Sequence, residues 1–323
     1  MKTDMFELAS IPPVTNISKI ITTYCWVKYK VKRKYNQAHE DAIWTCTWAK
    51  DDTLITGSLD CSIKIWSNEN DLVTLKQTCE GHRLGVISLD TNSDKSILIS
   101  SSLDSQIIFW DIETGKQLRN YEGTPGEIWT ISCSPDDKYV ATGSSTGVVN
   151  IIDAEKATHS SRIEFDSKFT SCVCFSPDGT KLATGAVNGI VSICDLKSGS
   201  ILPLDGHALP VRSVCFSPDS RLLASTCDDK LVKIYDVRDG KVVVSTLHGH
   251  CNSVFGADFS PSGDHLTTCS IDKTVKVWDI ASKKCIESFQ EHSNQIWAVR
   301  YNLNNILASV SEDGSFVLYD CSE

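Results

Sequence analysis

An all-β ring of seven four-stranded units is the fold class this sequence predicts, and three observations predict it. A segment of about forty residues recurs seven times along the chain. Each copy reads as short apolar strands punctuated by turn residues. The stretch before the first copy supplies a strand that the last copy lacks.

The unit is clearest in "GHALPVRSVCFSPDSRLLASTCDDKLVKIYD", residues 206–236. It returns as "GHCNSVFGADFSPSGDHLTTCSIDKTVKVWD" from 249 and "EHSNQIWAVRYNLNNILASVSEDGSFVLYD" from 291. Upstream copies start at 38, "AHEDAIWTCTW", and at 81, "GHRLGVISLD". Two weaker copies fill the middle, "GEIWTISCSPDDKYVATGSSTGVVNIID" and "KFTSCVCFSPDGTKLATGAVNGIVSICD". Their closing positions are Trp66, Trp110, Ile152, Cys194, Tyr235, Trp278 and Tyr319, separated by 44, 42, 42, 41, 43 and 41 residues. A period of that length, opening on Gly-His and closing on Trp-Asp, resembles the WD40 signature of four strands per propeller blade.

Closure of the ring follows from the ends. The last copy stops at "FVLYDCSE", four residues after Tyr319, whereas earlier copies continue into a further strand such as "KVVVSTL". "VKYKVKRKY", residues 27–35, stands in that slot before His39. Val27, Tyr29 and Val31 alternate with Lys28, Lys30 and Lys32, the period of a half-buried strand. Asn36 departs from the pattern, since other blades place Cys79, Leu204, Leu247 or Phe289 there. The domain reading is one seven-bladed propeller over residues 27–323, with residues 27–37 as the closing strand. Residues 1–26 form an N-terminal extension without an assigned role.

Composition excludes several classes. The net charge is -10, and five cations, Lys28, Lys30, Lys32, Arg33 and Lys34, crowd into one strand, so the remainder is more acidic still. That balance argues against direct nucleic-acid binding, which needs a broad basic face. The fourteen cysteines run from Cys25 to Cys321 without a C-x-x-C, and only Cys172 and Cys174 are close. Neither a disulfide framework nor a metal centre is expected from such spacing. "LHGHC" at 247–251 looks like a metal cluster, but His250 already serves its repeat and His248 falls on an outer strand. The first residues hold no signal-peptide core, and no run approaches the roughly 20 apolar residues of a membrane span. A soluble chain of the cytoplasm and nucleus, without membrane contact, is the expectation.

Five histidines hold the Gly-His position: His39, His82, His207, His250 and His292. Each is matched by an aspartate six residues before the closing aromatic: Asp60, Asp104, Asp229, Asp272 and Asp313. Ser, His and Asp together suggest nucleophilic catalysis, but a catalytic site has no reason to recur in five units of one ring. The repeat family implies a buried hydrogen-bonded tetrad of His, Ser/Thr, Asp and closing aromatic instead. The two middle repeats lose His, Asp and Trp together, having Thr146 and Asn188 at the Asp positions. No Walker loop, kinase set or nucleophile elbow is present, so neither an enzyme nor a cofactor is expected.

Partner-binding candidates are residues the repeat does not require. Five positions after each histidine, at the start of the innermost strand, stand Trp44, Ile87, Arg212, Phe255 and Trp297. Counting back from the Ser-Pro turns adds Trp129 and Ser171. Three of the chain's eight tryptophans thus fall on one ring, and Trp and Arg dominate interface hot spots. The plain alternative is that these rings wedge between blades as core. "STCDDKLVKIYDVR", ending at Arg238, also nears the box by which some WD proteins dock a cullin ubiquitin-ligase adaptor, although the repeat consensus overlaps it.

"QAHEDAIWTCTW", "SSSLDSQIIFWDIETGKQ" and "VWDIASKKCIESFQEHSNQIWAVRYN", with the unit quoted first, resemble the WD repeat-containing protein 61 family, the WD-repeat subunit of the superkiller complex. The resemblance runs from about Tyr29 to the C-terminus and keeps the two degenerate units in order. It implies a non-enzymatic scaffold that binds a tetratricopeptide-repeat subunit and a helicase subunit in exosome-dependent 3′-to-5′ mRNA decay. It also implies a place in the nuclear polymerase-associated factor complex of transcription elongation. The face carrying Trp44, Trp129 and Trp297 is the one that family uses for partners.

Overall fold

A computed structural model of the chain describes residues 28–69, 72–165, 167–204, 206–238 and 243–322. Val27 and the N-terminal extension lie outside the described residues. Twenty-eight strands form seven antiparallel four-stranded sheets, one for each predicted blade of the propeller. Blade 1 is typical, with Ile43–Trp48 innermost, then Leu54–Ser58, Ile63–Glu69 and Leu72–Cys79. Its second strand, LITGS, is buried at every position because neighbouring blades cover both faces. Outermost strands such as Thr158–Glu164 are nearly all exposed.

The core is the set of interfaces between successive blades. Between blades 1 and 2, Ile55, Ile63, Ile65 and Cys79 pack against Val86, Leu98 and Trp110. In blades 3 and 4 the closing positions Ile152 and Cys194 are as buried as the tryptophans they replace. Innermost strands face the central channel with an open edge, whose backbone donors need acceptors. Side chains of the preceding blade supply them. Thr45 Oγ1 accepts from Leu89 N at 3.2 Å, Asp90 Oδ2 from Cys133 N at 2.7 Å, and Asp258 Oδ2 from Tyr301 N at 2.8 Å.

Blade 7 joins the two ends of the chain. Lys28–Tyr35 pairs antiparallel with Phe316–Ser322, outside Ile306–Ser311 and Ile296–Tyr301. Tyr29 is buried edge-on to His265, and its hydroxyl meets that of Tyr301 at 3.1 Å. Tyr35 stacks flat on Phe316 and leans on Trp66, tying blade 7 to blade 1. One detail corrects the alternation expected of this strand: Val31 is 37% exposed. A β-bulge between Val31 and Arg33 inserts Lys32 and shifts the side-chain phase by one. Other outer strands bulge opposite their closing residues too, as at Ile65/Trp66 and Phe109/Trp110.

A tetrad in five blades and an aromatic channel mouth

The histidine tetrads assemble from three loops and strands at one end of each blade. In blade 1, Trp66 Nε1 donates to Thr56 Oγ1 at 2.9 Å, and Thr56 Oγ1 lies 2.8 Å from His39 Nε2. His39 Nδ1 is 2.8 Å from Asp60 Oδ2. One proton arrangement satisfies every atom: indole to hydroxyl, hydroxyl to imidazole, imidazole to carboxylate. Blade 2 repeats it through Trp110, Ser100, His82 and Asp104, and blade 6 through Trp278, Thr268, His250 and Asp272. Blade 5 substitutes the Tyr235 hydroxyl, 3.4 Å from Ser225 Oγ, with His207 and Asp229 beyond.

Burial pushes the His39, His82 and His207 imidazoles below their ordinary value, against the pull of the aspartates. Burial works the other way on Asp60, but hydrogen bonds from His39 and Ser62 outweigh it and hold the carboxyl well below the carboxylate range. In blades 1, 2 and 5 these shifts favour a neutral imidazole facing a carboxylate. Blade 7 departs from the expectation. His292 Nδ1 meets Ser315 Oγ at 3.0 Å, while Asp313 stands back at 3.5 Å and accepts from Ser293 N and Ser315 Oγ. A serine two residues past the aspartate intercepts the bond, and Tyr319 closes the network at 3.2 Å from Ser309.

The ring candidates converge at the mouth of the central channel, around a cavity of about 390 Å³ that they line. Trp44, Ile87, Phe255 and Trp297 are half-buried; Trp129 is 37% exposed. Trp297 leans on Trp44 at 5.1 Å and on Phe255 at 4.5 Å between ring centroids. Arg212 caps Phe255, its guanidinium carbon 5.2 Å from the ring centre, and forks onto Asp228 at 2.9 and 2.6 Å. Trp129 meets Phe169 of the adjacent blade edge-on, 5.5 Å between ring centroids. Trp297 Nε1 donates to Glu312, whereas Trp44 Nε1 is buried with no acceptor among the described residues. Ser171 also lines the cavity, and its hydroxyl donates to Val211 O at 2.6 Å.

The WD domain, G-beta repeat family matches residues 30–67 and 283–320, and the Nucleolar protein 10-like, N-terminal domain family matches residues 85–260. WD repeat-containing protein SL1-17 of Schistosoma mansoni is 47% identical over 301 residues, covering 91% of this chain and all of that protein. The chain belongs to the WD40-repeat family. WD repeat-containing protein VIP3 of Arabidopsis thaliana is 38% identical over 36% of this chain and 38% of its own length. Meiotic recombination protein rec14 of Schizosaccharomyces pombe is 32% identical over 58% of this chain and 63% of its own.

Two features of this WD40 propeller went unread in the sequence. Leu84 and Leu103 of blade 2, Val187 of blade 4 and Leu209 of blade 5 are exposed on loops at the same end as the mouth. The signal was available, since Leu103 and Val187 directly follow the second strands of their blades. Deeper in the channel, eight residues after His82, His250 and His292, lie Asp90, Asp258 and Arg300. Burial raises both carboxyls, and Arg300 draws them back toward ionisation. Arg238, by contrast, follows the third strand of blade 5, Val232–Asp236, and pairs at 3.1 Å with Asp236, which Arg221 also holds at 2.9 Å. In blade 5, Cys227 Sγ joins His207 and Asp229 within 4.8 Å. It accepts from Asp229 N and donates to Leu209 O, as serines do in other blades.

Proposed function

We propose that this protein is a non-catalytic scaffold subunit of a multiprotein complex and docks its partners on the channel mouth. The observation that carries the reading is the continuous platform of Trp44, Trp297 and Phe255 capped by Arg212. No blade needs these side chains for its tetrad, and large rigid rings with one polar handle are what interface hot spots use.

Resemblance to the superkiller WD-repeat family supports the finer reading. The partners are then a tetratricopeptide-repeat scaffold and a helicase, the process is exosome-dependent mRNA decay in the cytoplasm, and a nuclear pool serves the polymerase-associated factor complex. The test is affinity purification from separated cytoplasm and nucleus, using the unaltered protein and a Trp44→Ala/Trp129→Ala/Trp297→Ala variant. The expected result is co-purification of helicase and tetratricopeptide-repeat proteins that the variant loses while its melt is kept. A folded variant that retains every partner would overturn the docking site. A second reading, a cullin ubiquitin-ligase receptor, draws on the 62% exposure of the Arg238 side chain. It requires adaptor association that Arg238→Ala abolishes.

A further inference from the structure

We propose that the outer edge of the strand Lys28–Tyr35 is a second docking surface, which takes an extended acidic polypeptide segment as an added strand. The strand ends its sheet, hydrogen-bonded to Phe316–Ser322 on one side, so its other edge offers backbone donors and acceptors to an incoming chain. Every blade has an outer strand, yet only this one reads KYKVKRKY; its counterparts include LVTLKQTC, THSSRIE and ILPL.

Lys28, Lys30 and Arg33 are exposed along it. Beside them, over the face shared with the neighbouring strand, lies a groove of about 330 Å³ lined by Lys30, Val31, Lys32 and Arg33, by Leu318 and Asp320 of that strand and by Asn68 of blade 1. The bulge at Lys32 turns Val31 outward there, giving the groove an apolar spot between charges. Lys30 already shows the chemistry required, reaching Asp320 of the neighbouring strand at 3.6 Å.

Side chains on one face of an extended strand repeat about every 7 Å. Aspartates or glutamates at alternate positions of an added strand would therefore face Lys28 and Lys30 directly, the opposite-charge pairing that favours strand association. A second copy of this strand would meet the same lysines with like charge and be repelled. A nucleic acid needs a wider basic face than one strand of a chain whose net charge is -10. The edge thus selects for acidic protein, independently of what the channel mouth binds.

Fluorescence anisotropy with a short labelled peptide of alternating glutamate and threonine tests this on the full chain. Binding is expected at low salt and weakens as salt rises. The Lys28→Ser/Lys30→Ser/Arg33→Ser variant should bind about tenfold more weakly or worse. Hydrogen exchange of the amides of residues 28–35 should slow when the peptide binds the unaltered protein, a readout that holds even if the variant melts lower. Three results overturn the proposal: no peptide binding by the unaltered protein, undiminished binding by a folded variant, or tighter binding of a single-stranded oligonucleotide of equal charge.

Discussion

Blades 1, 2, 5, 6 and 7 and blades 3 and 4 build the same four strands by different means. In the first set a polar network spans loop, strand and turn: His82 reaches Ser100 at 2.7 Å and Asp104 at 3.0 Å, and Trp110 closes it. In the second set Ile152 and Cys194 fill the space, packed with Ile128 and Phe165 respectively. The turn chemistry changes with them. One residue in each blade's turn takes a left-handed backbone: Cys61, Ser105, Gly147, Gly189, Lys230, Lys273 and Gly314. Where an aspartate precedes it, its free oxygen caps the turn, as Asp104 does for Gln106 N at 3.0 Å and Asp229 for Leu231 N at 3.0 Å. In blades 3, 4 and 7 the left-handed residue is glycine, which adopts that conformation without a Cβ penalty, and in blade 4 Asn188 Oδ1 caps the turn from Ile190 N at 3.3 Å. A satisfied polar network and an apolar plug with a permissive turn are thus interchangeable solutions for one blade, but not in parts. A network half removed leaves buried groups unpaired.

The largest expected effect comes from breaking a network while leaving its other members. His82→Ala takes a buried imidazole away from Ser100, which keeps Trp110 Nε1 and Ile108 O, and from Asp104, which keeps Arg83 N and Gln106 N. About 3 kcal/mol should be lost in urea unfolding, from two lost buried hydrogen bonds and the cavity the ring leaves behind. Thr124→Ala, at the corresponding position of blade 3, changes an exposed residue outside any tetrad and should stay within about 0.5 kcal/mol. Equal losses at both positions would show that the histidine is merely filler.

Much of this contrast was legible in the sequence, and the reason is the period. Spacing of 41 to 44 residues fixes which residues are equivalent, so the missing histidines at blades 3 and 4 stand out without any structure. The closing strand was legible because the last unit visibly ends one strand short. The misreadings are local. Ser315 displaced Asp313 from His292 because two acceptors compete over distances that sequence spacing does not resolve. Val31 turned outward because a bulge changes strand phase without leaving a residue signature. The charged ring of Asp90, Asp258 and Arg300 was countable from the same histidines, but a channel's depth is a property of the closed ring rather than of one repeat.

The turns sharpen the comparison further. Adding a Cβ at Gly147 would drive it into the carbonyl of Ser167, on a backbone held at φ +83°. Gly147→Ala should therefore cost about 2 kcal/mol from strain at a position where the backbone cannot relax. Lys230 occupies the same place in blade 5 at φ 72°, already carries a Cβ, and is exposed. Lys230→Ala should change the denaturation midpoint by no more than about 0.5 kcal/mol equivalent. Should the two substitutions cost the same, the close Ser167 carbonyl would not be what requires glycine at this turn of blade 3.

The smallest expected effect separates a network role from a hidden ligand set. Ser58, Ser102, Ser270 and Ser311 each accept the backbone N–H of the aspartate two residues on and donate to a loop carbonyl, as Ser102 does to Leu84 O at 2.8 Å. Cys227 makes both contacts through sulfur, at 3.2 and 3.1 Å, and burial pushes its thiol up to about 12. A thiol held protonated is a poor metal ligand, since the thiolate is the coordinating form. Cys227→Ser should accordingly preserve the blade, with a stability change within about 0.5 kcal/mol by urea unfolding. The same melts run with and without a strong chelator should superimpose for both proteins. A chelator-sensitive melt in the unaltered chain that vanishes in Cys227→Ser would instead make His207, Cys227 and Asp229 a metal site, and blade 5 an exception to its own repeat.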